Sequence, residues 1–118
     1  VVDDEEHIRR IAASILELCG ANVFTASDGE AALDLYKNNR EKIDLVLSDV
    51  AMPRMSGKEL VVELKKIASD VKIVVMSGFK KDERVDFLFD LGICGFIQKP
   101  FTGEDLAKSV AAGIKSDS

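Results

Sequence analysis

The sequence predicts a doubly wound α/β domain, in which a five-stranded parallel sheet carries helices on both faces. Short apolar runs alternate with amphipathic stretches along the 118 residues, and these runs lack the polar alternation of a half-exposed strand. Strands of that kind, separated by helices, are typical of a parallel sheet that is buried on both sides. The length and the 47% hydrophobic content suit one domain with one core.

Five segments are predicted to be the strands. The first is the short remnant Val1-Val2, and the second, at residues 23–26, is rich in β-forming side chains. The others are expected at residues 45–47, 71–76 and 94–97. Because the first run holds only the last residues of a strand, we expect that the start of this strand is missing from the chain.

Apolar residues at helical spacing predict a helix after each strand. In the first of these helices Ile8, Ile11, Ile15 and Leu18 form one stripe, and Gly20 supplies a stop. The predicted helices are residues 5–19, a helix that contains 31–36, and residues 57–67, 82–91 and 103–115. The domain is therefore expected to fill residues 1–118, with a polar tail at 116–118.

Composition and charge exclude several classes of function. The net charge is −5 and the basic residues are scattered, so we expect no direct contact with nucleic acid. No apolar run approaches the roughly 18 residues that cross a bilayer, and no signal peptide precedes the domain, which predicts a cytoplasmic protein with no direct membrane contact. Cys19 and Cys94 are expected to be buried free thiols.

Polar side chains follow four of the five predicted strands. Asp3 and Asp4 come after the first strand, Asp49 after the third, Ser77 after the fourth and Lys99 after the fifth. In open parallel sheets the chemistry collects at the carboxyl ends of the strands. Three carboxylates, one hydroxyl and one ammonium are therefore predicted to meet at one edge of the sheet.

This set of groups predicts a site for phosphoryl transfer. Three clustered carboxylates repel one another unless a cation lies between them, and a hard divalent ion such as Mg²⁺ (or Mn²⁺) suits oxygen ligands. Lys99 offers a positive charge and Ser77 a hydroxyl to the oxygens of the transferred group. Asp49 is then the candidate nucleophile.

Four segments resemble the receiver domains of two-component response regulators. They are Val-Val-Asp-Asp-Glu at 1–5, Leu-Ser-Asp-Val-Ala-Met-Pro at 47–53, Met-Ser-Gly-Phe at 76–79 and Gly-Phe-Ile-Gln-Lys-Pro-Phe at 95–101. The resemblance covers nearly the whole chain, and it is nearest to the receivers of hybrid histidine kinases. It implies a flavodoxin-like (βα)₅ fold. It also implies that Asp49 is phosphorylated by a histidine kinase or a histidine phosphotransfer protein.

The resemblance also implies the metal ligands. Asp4, Asp49 and the backbone carbonyl of Ala51 would bind Mg²⁺ directly, and Asp3 would bind it through water.

Further residues are implied to form the switch. Lys99 would contact the phosphoryl group and Ser77 would move toward it, while Phe96, three residues before Lys99, rotates inward. A plain core position is the alternative for Phe96. The Lys99–Pro100 peptide bond is expected to be cis, which would direct the Lys99 side chain.

Three rival functions fit the residues less well. A phosphatase of the haloacid dehalogenase type needs an acid two residues after its nucleophile, where Ala51 cannot donate a proton. A flavodoxin needs a phosphate-binding loop after the first strand, where residues 3–6 would repel the phosphate. A degenerate receiver that only binds proteins would have lost an Asp or the Lys. We therefore expect no turnover enzyme, only a domain that promotes its own phosphorylation and dephosphorylation.

The surface between helices 82–91 and 103–115 is the predicted contact for an effector domain or a partner protein. Phe87, Leu88 and Phe89 follow one another in the first of these helices, more than one buried face needs. A homodimer would use the same patch, and core packing is a competing explanation. His7, the one histidine, is expected to be exposed.

Overall fold

The computed structural model describes residues 1–50, 55–78 and 83–115, with the backbone alone at 83–85. Within these ranges the helices are α1 (Glu6–Leu18), α2 (Gly29–Asn39), a 3₁₀ turn (Arg40–Lys42), α3 (Gly57–Ile67), α4 (Glu83–Asp90) and α5 (Gly103–Ile114). The strands are β1 (Val46–Asp49), β2 (Ile73–Ser77) and β3 (Gly95–Gln98). The sequence-based helices agree with these bounds to within about two residues, a normal uncertainty at helix ends.

The sheet is parallel, and β2 lies between β1 and β3. Val2 forms isolated parallel bridges to Ala26 and to Ser48 of β1, so the sheet continues from β1 to Val2 and then to Ala26. The α/β fold class is confirmed. In the described residues three of the five predicted strands form ladders, and the first two predicted strands contribute one bridging residue each, Val2 and Ala26. The apolar run at 1–2 is too short for a longer ladder, and an earlier start of its strand stays a prediction.

Each strand runs one or two residues further toward its carboxyl end than its apolar run. β1 ends at Asp49 rather than Leu47, and β2 ends at Ser77 rather than Met76. Pairing continues there because ladder hydrogen bonds use the backbone, whatever the side chain. The consequence is functional: the polar residues are held within the sheet and not in a loop.

The hydrophobic core lies on both faces of the sheet. Ile73 and Val75 of β2 belong to a buried cluster with α2, α3 and α4, whereas Val74 and Met76 belong to a second cluster with α1 and α5. Alternate residues of a strand point to opposite faces, so all four positions are apolar when both faces are covered. This arrangement explains why the strands show no polar alternation.

Capping residues begin three of the helices. The Asp28 side chain accepts a hydrogen bond from the Ala31 N–H at 2.8 Å at the start of α2, and Ser56 caps α3 through the Glu59 N–H. Thr102 and Asp105 form a capping box at the start of α5. Each cap follows a strand or loop directly, which fixes where the helix starts relative to the carboxyl edge of the sheet.

Gly113 of α5 lies in close contact with the sheet. A Cβ atom built there would lie 2.7 Å from Leu45 Cδ1 and 2.9 Å from Val74 Cγ2. Leu45 precedes β1, so this close contact lies at the end of the sheet opposite to Asp49.

The exposure of three side chains tests further predictions. Cys19 is exposed and Cys94 is partly buried, so the prediction of two buried thiols is wrong. Cys19 is the C-cap residue of α1, where the chain leaves the helix through Gly20 at φ 93°. His7 is exposed, as predicted. None of the helices in the described ranges combines the length and the apolar character of a membrane span.

Removing a buried side chain of α3 tests this core. Leu60 is fully buried at 0% exposure, so Leu60→Ala should lower the free energy of unfolding by about 3 kcal/mol in urea titrations. Leu18, which is 89% exposed, gives the matched control, and Leu18→Ala should change stability by less than about 0.5 kcal/mol. Equal losses in the two variants would contradict this description of the core.

Candidate functional site

The carboxyl edge of the sheet brings the predicted polar side chains together. Asp3 follows the bridging residue Val2, Asp49 is the last residue of β1 and Ser77 is the last residue of β2. Lys99 follows β3 directly. Asp3, Asp49 and Ser77 are all buried, at 0%, 6% and 3% exposure. Such burial is unusual for charged groups, which need partners when they leave water.

Lys99 supplies that partner. Its Nζ atom lies 2.8 Å from Asp3 Oδ2 and 3.5 Å from Asp49 Oδ1. The Lys99 backbone N–H donates to the Ser77 carbonyl at 2.7 Å, which attaches the start of the β3–α5 connection to the end of β2. The ammonium therefore reaches both buried carboxylates from a fixed backbone position.

Asp3 is held at every polar atom of its side chain and backbone. Besides Lys99, its carboxylate accepts the Glu5 N–H at 2.9 Å. Its backbone N–H donates to Ala26, and its carbonyl accepts from Arg9 at 2.8 Å. The Glu5 bond is a local side-chain to backbone turn just before α1, whose N-cap residue Glu5 makes no side-chain capping bond. Asp3 thus both fixes the entry to α1 and contributes charge to the cluster.

The three carboxylates form a candidate metal centre. One oxygen each from Asp3, Asp4 and Asp49 can be chosen so that all lie within 4.8 Å of one another. Asp4 is exposed, so this side of the cluster is open to solvent. Carboxylate oxygens at a solvent-facing edge match the preference of Mg²⁺ for few protein ligands and several waters. The residues present therefore fit a hard divalent cation.

The electrostatics of Asp49 support the same conclusion. Burial is the largest cause that acts on its pKa and raises it, Lys99 lowers it, and the charges of Asp3 and Asp4 raise it again. The net result is a raised pKa, so the Lys99 ammonium does not fully offset burial and the neighbouring charges. A bound divalent cation would lower the pKa of Asp49.

Lys99 stays charged at this site. Burial lowers its pKa, but the hydrogen bond to Asp3 and the charges of Asp49 and Asp3 outweigh that effect, so its pKa is raised overall. The pKa of Asp49 and the pKa of Lys99 are both raised. Both shifts agree with a cluster that has an excess of negative charge, which favours a cation.

The implied switch residues belong to neighbouring strands: Ser77 ends β2 and Phe96 is in β3. Phe96 is partly buried and packs against the core cluster on the α2, α3 and α4 face of the sheet. The Lys99–Pro100 peptide bond is cis, as expected. Ala51, the expected carbonyl ligand, lies outside the described residues.

The sequence analysis missed two residues that contact the cluster through backbone atoms. Arg9 donates to the Asp3 carbonyl, and the fully buried Ser48 donates its hydroxyl hydrogen to the Asp49 carbonyl at 2.9 Å. The residue types Arg and Ser do not by themselves indicate such a role. The position of Ser48 does give a signal, because a polar residue inside an apolar strand requires a buried hydrogen-bond partner.

Comparison with known families agrees with this geometry. A family model described as the response regulator receiver domain matches residues 1–111. The chain belongs to this family. Receiver domains are signalling modules of two-component systems and not classical enzymes, which is the family-level function of this chain.

Curated relatives of this receiver domain include a regulator and a kinase. The chain is 36% identical over 116 residues to the probable transcriptional regulator ycf27 of Porphyridium aerugineum, which covers 98% of this chain and 47% of that protein. It is 34% identical over 110 residues to the sensor kinase CckA of Brucella abortus (strain 2308), which covers 93% of this chain and 12% of the kinase. The chain thus spans less than half the length of these relatives.

Solved structures share the fold over nearly the whole receiver domain. A response regulator receiver domain protein from Clostridium thermocellum superposes with a TM-score of 0.90 at 29% identity, covering 96% of this chain and 90% of the other. A chain of the CheX–CheY–BeF₃–Mg²⁺ complex from Borrelia burgdorferi gives a TM-score of 0.92 at 28% identity, covering 98% and 87%. The flavodoxin-like architecture is confirmed.

The raised pKa of Asp49 predicts how stability depends on pH. The folded state disfavours the ionised form of Asp49. The resulting loss of stability is fully present above the pKa of Asp49 in the folded protein, and it disappears as the pH falls below the pKa of Asp49 in the unfolded chain. Without metal, Asp49→Asn should therefore be more stable than wild type at pH 7, because Lys99 keeps its closer partner Asp3. The difference in stability between Asp49→Asn and wild type should become smaller as the pH is lowered.

Thermal unfolding in metal-free buffer from pH 7 to pH 4 measures this dependence. Asp44→Asn is the control, because Asp44 is exposed and precedes β1 at the opposite end of the strand. A loss of stability in Asp49→Asn at pH 7 would show that the Lys99 ion pair outweighs burial and repulsion.

Proposed function

We propose that this receiver domain accepts a phosphoryl group on Asp49 from the phosphohistidine of a histidine kinase or a histidine phosphotransfer protein. The observation that carries the proposal is the position of Asp49. Its carboxylate ends a buried strand, 3.5 Å from the Lys99 ammonium and within 4.8 Å of the Asp3 and Asp4 oxygens. A nucleophilic carboxylate, a cation and a metal-binding cluster are the parts that phosphoryl transfer needs.

In the transfer step a carboxylate oxygen of Asp49 attacks the phosphorus of the phosphohistidine. An O–P bond forms as the P–N bond breaks, and the electron pair of that bond leaves with the imidazole, which takes up a proton from water. Lys99 and the Ser77 hydroxyl bind the phosphoryl oxygens, which carry the developing charge. Lys99 already contacts Asp3 and Asp49, whereas Ser77, at the end of β2, would move toward the phosphoryl group.

Metal dependence follows from the acidic cluster. Asp4, Asp49 and the Ala51 carbonyl would hold Mg²⁺ directly, and Asp3 would hold it through water. The bound ion would neutralise the carboxylates and polarise the phosphoryl oxygens. Asp3 suits its indirect role because its two carboxylate oxygens already accept bonds from Glu5 and Lys99.

The proposed domain is a stoichiometric acceptor and not a turnover enzyme. Residue 51 is an alanine, so no side chain at this position can donate a proton to a leaving group. The chain would promote only its own phosphorylation and hydrolysis. The alternative, a degenerate receiver that acts as a protein-interaction module, fits less well because the carboxylates and Lys99 are present and in contact.

The output is proposed to be a change in a partner-binding surface between α4 and α5. Recruitment of Ser77 by the phosphoryl group would let Phe96 repack and would favour a second conformation. In α4, Leu88 is buried at 2% exposure, whereas Phe87 is 45% exposed with the Lys58 ammonium 4.6 Å from its ring centre. Core packing therefore accounts for Leu88. The exposed parts of Phe87 and Phe89, which are 45% and 36% exposed, are proposed to contact an effector domain, a partner protein or a second copy. A cytoplasmic location stays a prediction.

Phosphorylation by a small phosphodonor tests the acceptor. The protein is incubated with Mg²⁺ and acetyl phosphate, and its intact mass is measured. We expect one added phosphoryl group in wild type, none in Asp49→Ala and a strong reduction in Lys99→Ala. Asp44→Ala, at an exposed position, should behave like wild type. Folded wild type without an adduct would refute the proposal. An adduct on Asp49→Ala would show that a residue other than Asp49 is phosphorylated.

Removal of the metal tests the acidic cluster. Excess EDTA should abolish the adduct, and added Mg²⁺ or Mn²⁺ should restore it. Asp4→Asn should weaken Mg²⁺ binding at least about tenfold without unfolding the protein, because Asp4 is an exposed ligand. Isothermal titration calorimetry measures the affinity. Unchanged Mg²⁺ affinity in this variant would exclude Asp4 from the metal centre.

A further inference from the structure

The backbone carbonyl of Asp49 has two contacts that the proposed transfer step does not use. The Ser48 hydroxyl donates to this oxygen at 2.9 Å. Gly57, the first residue of α3, is also close, since a Cβ atom there would be only 2.6 Å from the same oxygen. Ser48 is fully buried, so its hydroxyl needs this partner. Both contacts depend on the residue type.

Gly57 lets α3 begin in direct contact with the end of β1. Its N–H donates to the Val50 carbonyl at 2.8 Å. An added Cβ would also lie 2.7 Å from Val50 Cα and 3.0 Å from Val50 O. These neighbours are all backbone atoms, which cannot rotate away as a side chain can. A methyl group at residue 57 must therefore displace backbone at Asp49, at Val50 or at the start of α3.

The backbone at Asp49 has little freedom to move without losing bonds. The Asp49 N–H donates to Val2 at 2.8 Å, and the Val50 N–H donates to Met76 at 3.0 Å. These bonds tie the residue to strands on both sides. A displacement of its carbonyl would be transmitted to the carboxylate, which belongs to the same residue and faces Asp3 and Asp4.

We propose that Ser48 and Gly57 are positioning residues, which set the Asp49 carboxylate in register with Asp3 and Asp4 through the Asp49 carbonyl. The proposal rests on the proposed function of Asp49 as a metal-binding phosphoacceptor. Metal and catalytic sites tolerate errors of only about 0.5 Å, and relieving a 2.6 Å contact requires a shift of about that size. The two residues act on the same carbonyl oxygen, so loss of either would loosen the same ligand.

Two variants test the proposal by Mg²⁺ titration calorimetry at a temperature where each protein is folded. Gly57→Ala should raise the Mg²⁺ dissociation constant about tenfold, as do other changes behind metal ligands. Ser48→Ala removes one hydrogen bond with little change of shape and should raise the Mg²⁺ dissociation constant about threefold. The rate of phosphorylation by acetyl phosphate should also fall, and more in Gly57→Ala than in Ser48→Ala.

Gly113→Ala is the matched control for steric damage. It also adds one methyl to a tightly packed helical glycine, but its contacts are Leu45 and Val74, away from the acidic edge. A purely structural role would lower the melting temperature in Gly57→Ala and Gly113→Ala alike and leave Mg²⁺ affinity unchanged in both. Under the proposal, only Gly57→Ala and Ser48→Ala change the affinity.

The outcomes separate this inference from the proposed function. Wild type that takes up phosphoryl groups, with unchanged Mg²⁺ affinity in folded Gly57→Ala and Ser48→Ala, would overturn the inference alone. Wild type that takes up none would overturn the proposed function. Should Gly57→Ala fail to fold, Ser48→Ala decides, and wild-type Mg²⁺ affinity in that variant would refute the role of the carbonyl.

Discussion

The site depends on the ion pairs that the Lys99 ammonium forms with Asp3 and Asp49. Among the described residues, Lys99 is the cation that lies within 4.0 Å of both Asp3 and Asp49. Without it, two carboxylates would be buried side by side with no opposite charge, an arrangement that costs several kcal/mol. Its backbone N–H bond to Ser77 fixes its starting point at the neighbouring strand. The spacing of the strands in the sheet therefore determines the spacing of the charged groups in the site.

The fold delivers these charges because every strand ends at the same edge. β1 and β2 pair in register from Val46 with Ile73 to Asp49 with Met76, so the polar residue at the end of each strand is aligned by backbone bonds and not by a flexible loop. Helices on both faces exclude water from the strands, which strengthens the interactions between the charges. Among the described acidic residues of the site Asp4 is exposed, so the cluster has one side that is open to solvent.

Much of this site was predictable from the sequence because its side chains interrupt apolar runs. Asp49 after Leu47 and Lys99 after Ile97 stand out as charges at the ends of buried strands. Backbone contacts leave no such mark, and so the roles of Arg9 and Ser48 were missed. The Cys19 prediction failed because it rested on the usual burial of the residue type, whereas exposure at a helix end depends on where the chain turns. The second strand was overestimated: of the predicted residues 23–26 only Ala26 forms a bridge, because β-rich composition alone does not provide a ladder of paired residues.

The same charges that suit the site to a cation make it costly in the absence of one. Asp49 has a raised pKa because burial and its neighbours outweigh Lys99, and this unfavourable energy is what a bound cation would relieve. Packing on both faces of the sheet offsets the cost, since Leu60, Ile73 and Val75 on one face and Met76 on the other are fully buried. Stability is therefore supplied by the middle of the sheet, which leaves its carboxyl edge free to hold an arrangement of charges that would not be stable alone.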